Sequence, residues 1–337
     1  MTVELKTTYL GLELKSPIVA SPSPLTGNVD SAAKLDQAGV GAIVLPSLFE
    51  EEILAEDSEL NRSLDQGTNS FAESLDYFPA LQSVEGVGDQ YLANLETIKK
   101  RVSVPVIASL NAASTGGWIK YAKRIQDAGA DALELNLYRV AADPARSAAD
   151  LEANDVELVA AVRAAVGIPL AVKLSPYYTA IAGFAAQVVK GGANGLVLFN
   201  RFYQPDLDLD TLEVANRIEL SAPWELRLPL RWTAILRPQL GKGVSLAATS
   251  GIRSGTDALK VLMVGADVAM ITSEILRKGP DHVRTVETEM RAWMTEHEYV
   301  SVEQLRGSAS RAAVADPSAF ERGNYFQTIR SWSGSAE

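Results

Sequence analysis

Eight short runs, four to six residues long and rich in Val, Ile and Leu, recur along the chain: Ile18–Ser21, Gly41–Leu45, Pro105–Leu110, Ala132–Asn136, Pro169–Leu174, Asn194–Phe199, Val244–Ala248 and Asp267–Ile271. Runs that are largely apolar instead of alternating suit strands buried on both faces, as a parallel sheet requires. Between them, Trp118–Asp127, Val156–Ala165, Ile181–Lys190 and Thr256–Val264 space their apolar residues for helices. Several of these segments reach a glycine just before the next run, at Gly39, Gly129, Gly192 and Gly265, where a helix C-terminus turns back into a strand. Strands and helices alternating eight times predict an α/β fold, a (β/α)8 TIM barrel. A doubly wound open sheet is the alternative.

Two of the intervals between strands are much longer than the rest. These insertions, 46–87 after strand two and 200–243 after strand six, fall at the carboxyl face of a barrel, where active sites and lids are expected. Ahead of strand one, Val3–Lys6 and Leu12–Lys15 alternate with period two around Gly11 and predict an N-terminal β-hairpin at the opposite mouth. A single barrel domain over 1–300 is expected, with 301–337 as a C-terminal helical tail.

Composition narrows the function. The 337 residues carry 31 basic against 42 acidic side chains, a net charge of −11, which disfavours nucleic acid and anionic membrane surfaces as partners. Residues 47–87 hold ten acidic residues and one arginine; they form either a solvated helical face or a docking surface for a basic partner. Cysteine is absent, which removes disulfides, thiolate metal sites and iron–sulfur ligation within this chain. With no apolar run near the length of a membrane span and no leader pattern at Met1–Lys6, a cytoplasmic protein is expected. His282 and His297 read as surface helix residues, and no metal site is predicted.

The candidate chemistry lies at the strand ends. Ser250-Gly251 after strand seven and Thr272-Ser273 after strand eight are placed to hold a phosphate, the alternative being glycines that only make tight turns. Ser21, Ser47, Ser109, Asn136, Lys173 and Asn200 put polar groups at one mouth, as a flat polar ligand would need. Lys173 has three readings: a donor to an electron-rich cofactor, a Schiff-base nucleophile, or half of a structural ion pair. Phe199, Phe202, Tyr203 and Trp224 form loop packing or a stacking surface.

Four phrases in order, Tyr9–Ser21, Leu133–Asn136, Ala171–Tyr177 and Ser250–Ala258, together resemble the dihydroorotate dehydrogenases, the soluble class 1 enzymes in particular. The resemblance runs from about residue 3 to 308. It implies FMN over the barrel mouth and a homodimer, with an electron-transfer partner protein also in view. Carried onto this chain, it sets Ala20 and Ser21 beside the flavin ring, with Ser47 and Ser109 in the same cofactor layer. Asn136 then touches flavin and substrate, Lys173 neutralises the flavin's N1–C2 edge, and Asn200 faces the substrate. Ser221, in place of a family glycine, joins Ser250, Gly251, Thr272 and Ser273 around the phosphate.

The departures fall on the substrate side. Arg139 occupies the position of the family's catalytic base, Pro46 stands where a flavin-contacting lysine is expected, and Ala72–Asp76 replaces the substrate loop. Arginine stays protonated in water and cannot act as a base. The resemblance therefore implies an FMN-dependent oxidoreductase acting on CH–CH groups of a small substrate other than dihydroorotate, an anionic one if Arg139 points inward. Arg139 and Arg201 would then supply positive charge at the mouth, unless Arg139 turns outward to Asp143, and Tyr138 or Glu73 would supply the acid or base; for dihydroorotate itself the base would be Tyr138, Ser74 or a bound water. The alternatives are true dihydroorotate oxidation to orotate in pyrimidine biosynthesis, a non-catalytic flavin-binding partner protein, and a Schiff-base or phosphate-sugar enzyme using Lys173.

Overall fold

The computed structural model describes residues 3–53, 86–111, 118–201, 204–215, 218–322 and 325–331. Residues 54–85 of the expected insertion, with the substrate-loop positions Glu73 and Ser74 among them, lie outside the described residues, as do Phe202 and Tyr203.

A hairpin of β1 (Thr7–Tyr9) and β2 (Leu12–Leu14) leads into β3 (Ile18–Ala20), the first barrel strand. The chain then alternates α1 (Val29–Ala38), β4 (Ala42–Phe49), α2 (Val87–Arg101), β5 (Val106–Asn111), α3 (Trp118–Asp127) and β6 (Ala132–Asn136). It continues through α4 (Ala148–Ala165), β7 (Leu170–Leu174), α5 (Ile181–Lys190) and β8 (Gly195–Leu198). A small hairpin of β9 (Asp206–Asp208) and β10 (Glu213–Ala215) precedes α6 (Arg227–Leu240), β11 (Ser245–Thr249), α7 (Gly255–Met263) and β12 (Val268–Ile271). The short α8 (Ser273–Lys278) and the longer α9 (His282–Glu296) follow. The barrel closes through parallel pairing in the order β11-β12-β3-β4-β5-β6-β7-β8. All eight strands are those that the apolar runs predict, and the open sheet is excluded.

Several boundaries differ from the sequence reading. The first hairpin arm is Thr7–Tyr9, because Glu4 instead bridges to Ser301. α4 begins at Ala148, where the Ser147 side chain accepts a hydrogen bond from the Asp150 N–H as N-cap. β4 runs on to Phe49, with a bulge: Val44 faces Ile107 and Ser47 faces Ser109, leaving one extra residue on the β4 side. Pro46 lies in that bulge, where its missing N–H costs no ladder bond. Without the extra residue, Pro46 would stand level with Ser109 in place of Ser47.

Two layers of core result. One lies between the strands and the surrounding helices, and Val302 and Leu305 beyond the barrel are buried in it. The other fills the barrel from below: Tyr9, Leu10 and Leu14 of the hairpin pack on Val19, Val44, Ile107, Ala132, Ala171, Val197 and Ala247. The Leu10 N–H donates to Ser245 Oγ at 2.8 Å, and a Cβ on Gly195 would meet Leu10 at 2.7 Å, so the plug touches the starts of β8 and β11. At the base of β12, buried Asp267 accepts from Arg237 (2.6 Å), Arg306 (2.7 Å) and the Leu246 N–H (2.7 Å). Burial raises its pKa, and the two guanidinium groups oppose that rise.

Candidate functional site

The barrel's inner face follows from strand periodicity. Ile107, Ala132, Ala171, Val197, Ala247 and Met270 pack together inside, so Ser109, Glu134 and Asn136, Lys173, Thr249 and Thr272 continue the same inward face toward the carboxyl mouth. The inner lining changes from apolar to polar within one pleat repeat.

Three of the expected residues meet there. Ser47 Oγ and Ser109 Oγ are 2.8 Å apart, and the Asn136 amide nitrogen donates toward Ser109 Oγ (2.8 Å), Ser47 Oγ (3.1 Å) and the Leu110 carbonyl (3.1 Å). The β4 bulge makes this contact possible by raising Ser47 to the level of Ser109. Behind the strand, Tyr91 accepts from the Ser109 N–H at 2.9 Å; burial pushes its hydroxyl well up, so it stays protonated.

Lys173 stands level with Asn136 on the neighbouring strand. Its ammonium lies 3.4 Å from Glu134 Oε1, so the ion-pair reading of this lysine is the one the geometry displays. Glu134 is 1% exposed, and its second oxygen has no hydrogen-bond partner among the described residues. Ser21, whose N–H continues the β3–β12 pairing by donating to Ile271, is also buried, and its hydroxyl has no partner among the described residues. Ala20 beneath it is fully buried, and Asn200, whose N–H donates to the Leu174 carbonyl at 2.7 Å, is half-buried at the end of β8.

Across the mouth, three loops converge. Ser221 donates from both its N–H (2.9 Å) and its hydroxyl (2.8 Å) to Ser273 Oγ. Ser250 and Gly251 both have positive φ, +80° and +72°, and a Cβ on Gly251 would lie 2.5 Å from the Leu226 nitrogen. That close approach requires glycine. Ser221, Ser250-Gly251 and Thr272-Ser273 therefore share one corner. Beside it, Glu274 is fully buried under Arg253 (2.8 Å), Arg277 (2.7 Å) and Lys278 (2.9 Å). Burial alone would raise its pKa, but the bonds from Lys278 and Arg277 and the charge of Arg253 hold it at about 2.

The arginines do not stand as expected. Arg139 pairs at 3.4 Å with Asp155 of α4, whose other oxygen accepts from the Tyr178 hydroxyl at 3.0 Å, while Asp143 accepts from its own loop at Ala145. The partner is thus Asp155, which α4 brings up beside the loop after β6. Burial raises the Asp155 pKa against the pull of Arg139 and Tyr178, and burial first, then Asp155, raises that of Tyr178. Arg201 is engaged by Glu225 at 3.0 Å, so it is not a bare cation at the mouth. His282 is buried, its Nε2 2.8 Å from the Arg253 carbonyl, because α9 turns that face onto α7. His297 is exposed and stacks on Trp293. Phe199 is buried and Trp224 exposed.

Glu134 and Tyr178 are the residues that the sequence reading leaves out of the site. For Glu134 a signal exists: in Ala132-Leu-Glu-Leu-Asn, period two puts it on the same face as Asn136.

The profile of the family described as dihydroorotate dehydrogenase matches residues 81–294. The chain belongs to the dihydroorotate dehydrogenase family. The catalytic subunit of dihydroorotate dehydrogenase B (NAD(+)) from Thermoplasma acidophilum is 23% identical over 91% of this chain and 99% of its own. Dihydroorotate dehydrogenase A (fumarate) from Limosilactobacillus reuteri is 29% identical over 77% and 84%. The chloroplastic dihydropyrimidine dehydrogenase (NADP(+)) of Arabidopsis thaliana is 22% identical over 90% and 76%. Among solved structures, the dihydroorotate dehydrogenase of Eimeria tenella in complex with ferulenol shares the fold, with a TM-score of 0.64, 15% identity and coverage of 90% and 88%. The three relatives compared by sequence are all dehydrogenases, and in this member of the dihydroorotate dehydrogenase family Arg139 is ion-paired with Asp155.

Proposed function

We propose that this chain is an FMN-dependent oxidoreductase acting on a CH–CH bond of a small substrate other than dihydroorotate. The observation that carries the reading is the pairing of Arg139 with Asp155, which keeps a cation, and no base, at the residue that the resemblance sets in the family's base position. The carboxyl mouth suits a flat, electron-rich ligand, since the Ser21 hydroxyl is buried without a partner and Lys173 has one long bond of 3.4 Å among the described residues. Ala20, Ser21, Asn136 and Lys173 would hold the ring, with Ser47 and Ser109 fixing Asn136 from behind. Ser221, Ser250, Gly251, Thr272 and Ser273 would hold the phosphate, and Asn200 would face the substrate. When bound, FMN supplies a two-electron acceptor for a hydride from the substrate. The Lys173 charge offsets the negative charge that reduction brings into a partly dry site. Arg139, held by Asp155, supplies no base and leaves proton transfer to another residue, Tyr138 being the nearest on its own loop.

Dihydroorotate oxidation is the second reading, favoured by the names of the relatives. Anaerobic mixing of the purified flavoprotein with a panel of donors separates the two. Flavin reduction by dihydroorotate should be about a thousandfold slower than in a family enzyme that has its base, within what general base catalysis contributes. Rapid reduction by dihydroorotate alone would reject the proposal.

For the homodimer, the support is the β9–β10 hairpin. Leu207, Leu209, Leu212 and Val214 are exposed on it, beside unpaired strand edges, a combination that a second copy can match about a two-fold axis. Sedimentation should show a dimer that Leu209→Glu/Leu212→Glu dissociates; a monomeric parent chain would remove the proposal.

A further inference from the structure

Glu134 is a charged residue in a place that packing alone does not favour. It sits on β6, level with Ser109 and Ala171 in the strand register, one inward step below Asn136 and Lys173. Burying a carboxylate costs several kcal/mol unless it is paired and hydrogen-bonded. Among the described residues the compensation is incomplete: Oε1 faces Lys173 at 3.4 Å and Oε2 has no partner. From below, the hairpin's Tyr9 is fully buried in the same interior, and its hydroxyl also lacks a partner among the described residues. Burial, then the charges of Glu134 and Asp267, raise the Tyr9 pKa well above the ordinary value, so a neutral hydroxyl lies under the carboxylate. Apolar residues of similar size would fill this level at less cost. The ionic pair is therefore explained by what lies above it.

We propose that Glu134 is a positioning residue that holds the Lys173 ammonium at the barrel axis and, by its own negative charge, sets how readily a flavin bound above that lysine is reduced. The inference rests on the FMN reading and deepens it. Lys173 alone would favour the added negative charge of reduction; Glu134, 3.4 Å behind it, subtracts from that field in a poorly screened interior. The pair thus gives the site a lysine of fixed direction and reduced net charge. Asn136, Ser47 and Ser109 are satisfied among themselves and leave Glu134 to Lys173.

The test is the midpoint potential of the purified flavoprotein and of its Glu134→Gln and Glu134→Asp forms. Glu134→Gln removes charge with little change of shape. It should favour the reduced cofactor about tenfold at fixed potential, a shift of about 30 mV to the positive for a two-electron couple. Glu134→Asp keeps the charge and should stay within about threefold of the parent. A Glu134→Gln potential equal to that of the parent overturns the proposal. A second arm needs no cofactor: urea unfolding of apo-protein carrying Glu134→Gln, Lys173→Met and both. Each single change strands a buried partner, so the double mutant should be at least about tenfold more stable, in its unfolding constant, than the sum of the single effects predicts. Additive effects overturn the pairing. If the purified chain neither contains nor takes up flavin, the FMN reading fails, and the pairing is then decided by the unfolding arm alone.

Discussion

The two mouths of this barrel are built from the same eight strands and differ in what their inward residues need. At the amino end, Tyr9, Leu10 and Leu14 fill the opening against Val19, Val44, Ile107 and Ala171. Backbone approaches are close there: a Cβ on Gly41 would lie 1.9 Å from the Ser16 carbonyl oxygen. At the carboxyl end the same inward register presents Ser21, Ser109, Glu134, Asn136 and Lys173, with two of these side chains incompletely satisfied. The plug is apolar except for the Tyr9 hydroxyl, which has no hydrogen-bond partner among the described residues, whereas at the carboxyl mouth the unpartnered groups, Ser21 Oγ and Glu134 Oε2, lie among a row of polar side chains. In barrels of this kind the amino mouth generally serves stability and the carboxyl mouth chemistry, and the proposed flavin site follows that division.

The sharpest way to break that division is at the amino end. Asp267→Ala leaves Arg237 buried without its partner and should cost about 3–5 kcal/mol, read by urea unfolding, with unchanged cofactor content in the folded fraction. Gly41→Ala forces the plug away from β4 and should cost about 1–3 kcal/mol in the same assay, again sparing the site. The carboxyl mouth should respond oppositely. Removing both charges with Glu134→Gln/Lys173→Met should change stability by less than about 1 kcal/mol, yet weaken flavin retention about tenfold, measured by fluorescence of released flavin. A double variant that unfolds while retaining flavin would reverse the assignment.

The smallest expected effect concerns Glu274, at the boundary between the two functions. Its folded pKa, about 2, lies below the usual 4.5, so the stability it contributes is present above about pH 4.5 and is lost as pH falls through about 2. Glu274→Gln should flatten the acid limb of the stability curve across that window by about 1 kcal/mol, the surrounding Arg253, Arg277 and Lys278 being partly solvated. An unchanged acid limb would show that the three cations do not act on this carboxylate.

Much of this division is legible in the sequence. Strands buried on both faces betray themselves as apolar runs, and all eight barrel strands follow from that signal. Polar residues at strand ends mark the carboxyl mouth for the same reason: a polar group in such a run needs an explanation. What escapes is whatever depends on contacts between distant segments. The bulge that brings Ser47 to Ser109 rests on strand pairing, and Pro46 alone does not announce it. Asp143 is near Arg139 in the chain, but Asp155 reaches it because α4 begins eight residues earlier than its apolar spacing indicates. His282 follows an exposed loop in sequence and is covered by the packing of α9 on α7. Glu134 was within reach, since two-residue periodicity alone pairs it with Asn136.

The most direct test of the account is the cofactor itself. The purified chain, denatured and resolved by reverse-phase chromatography, should release FMN at close to one equivalent per chain, and the apo-protein should take up FMN in preference to FAD. A chain that carries no flavin and fails to bind FMN would contradict the assignment of the carboxyl mouth as a flavin site.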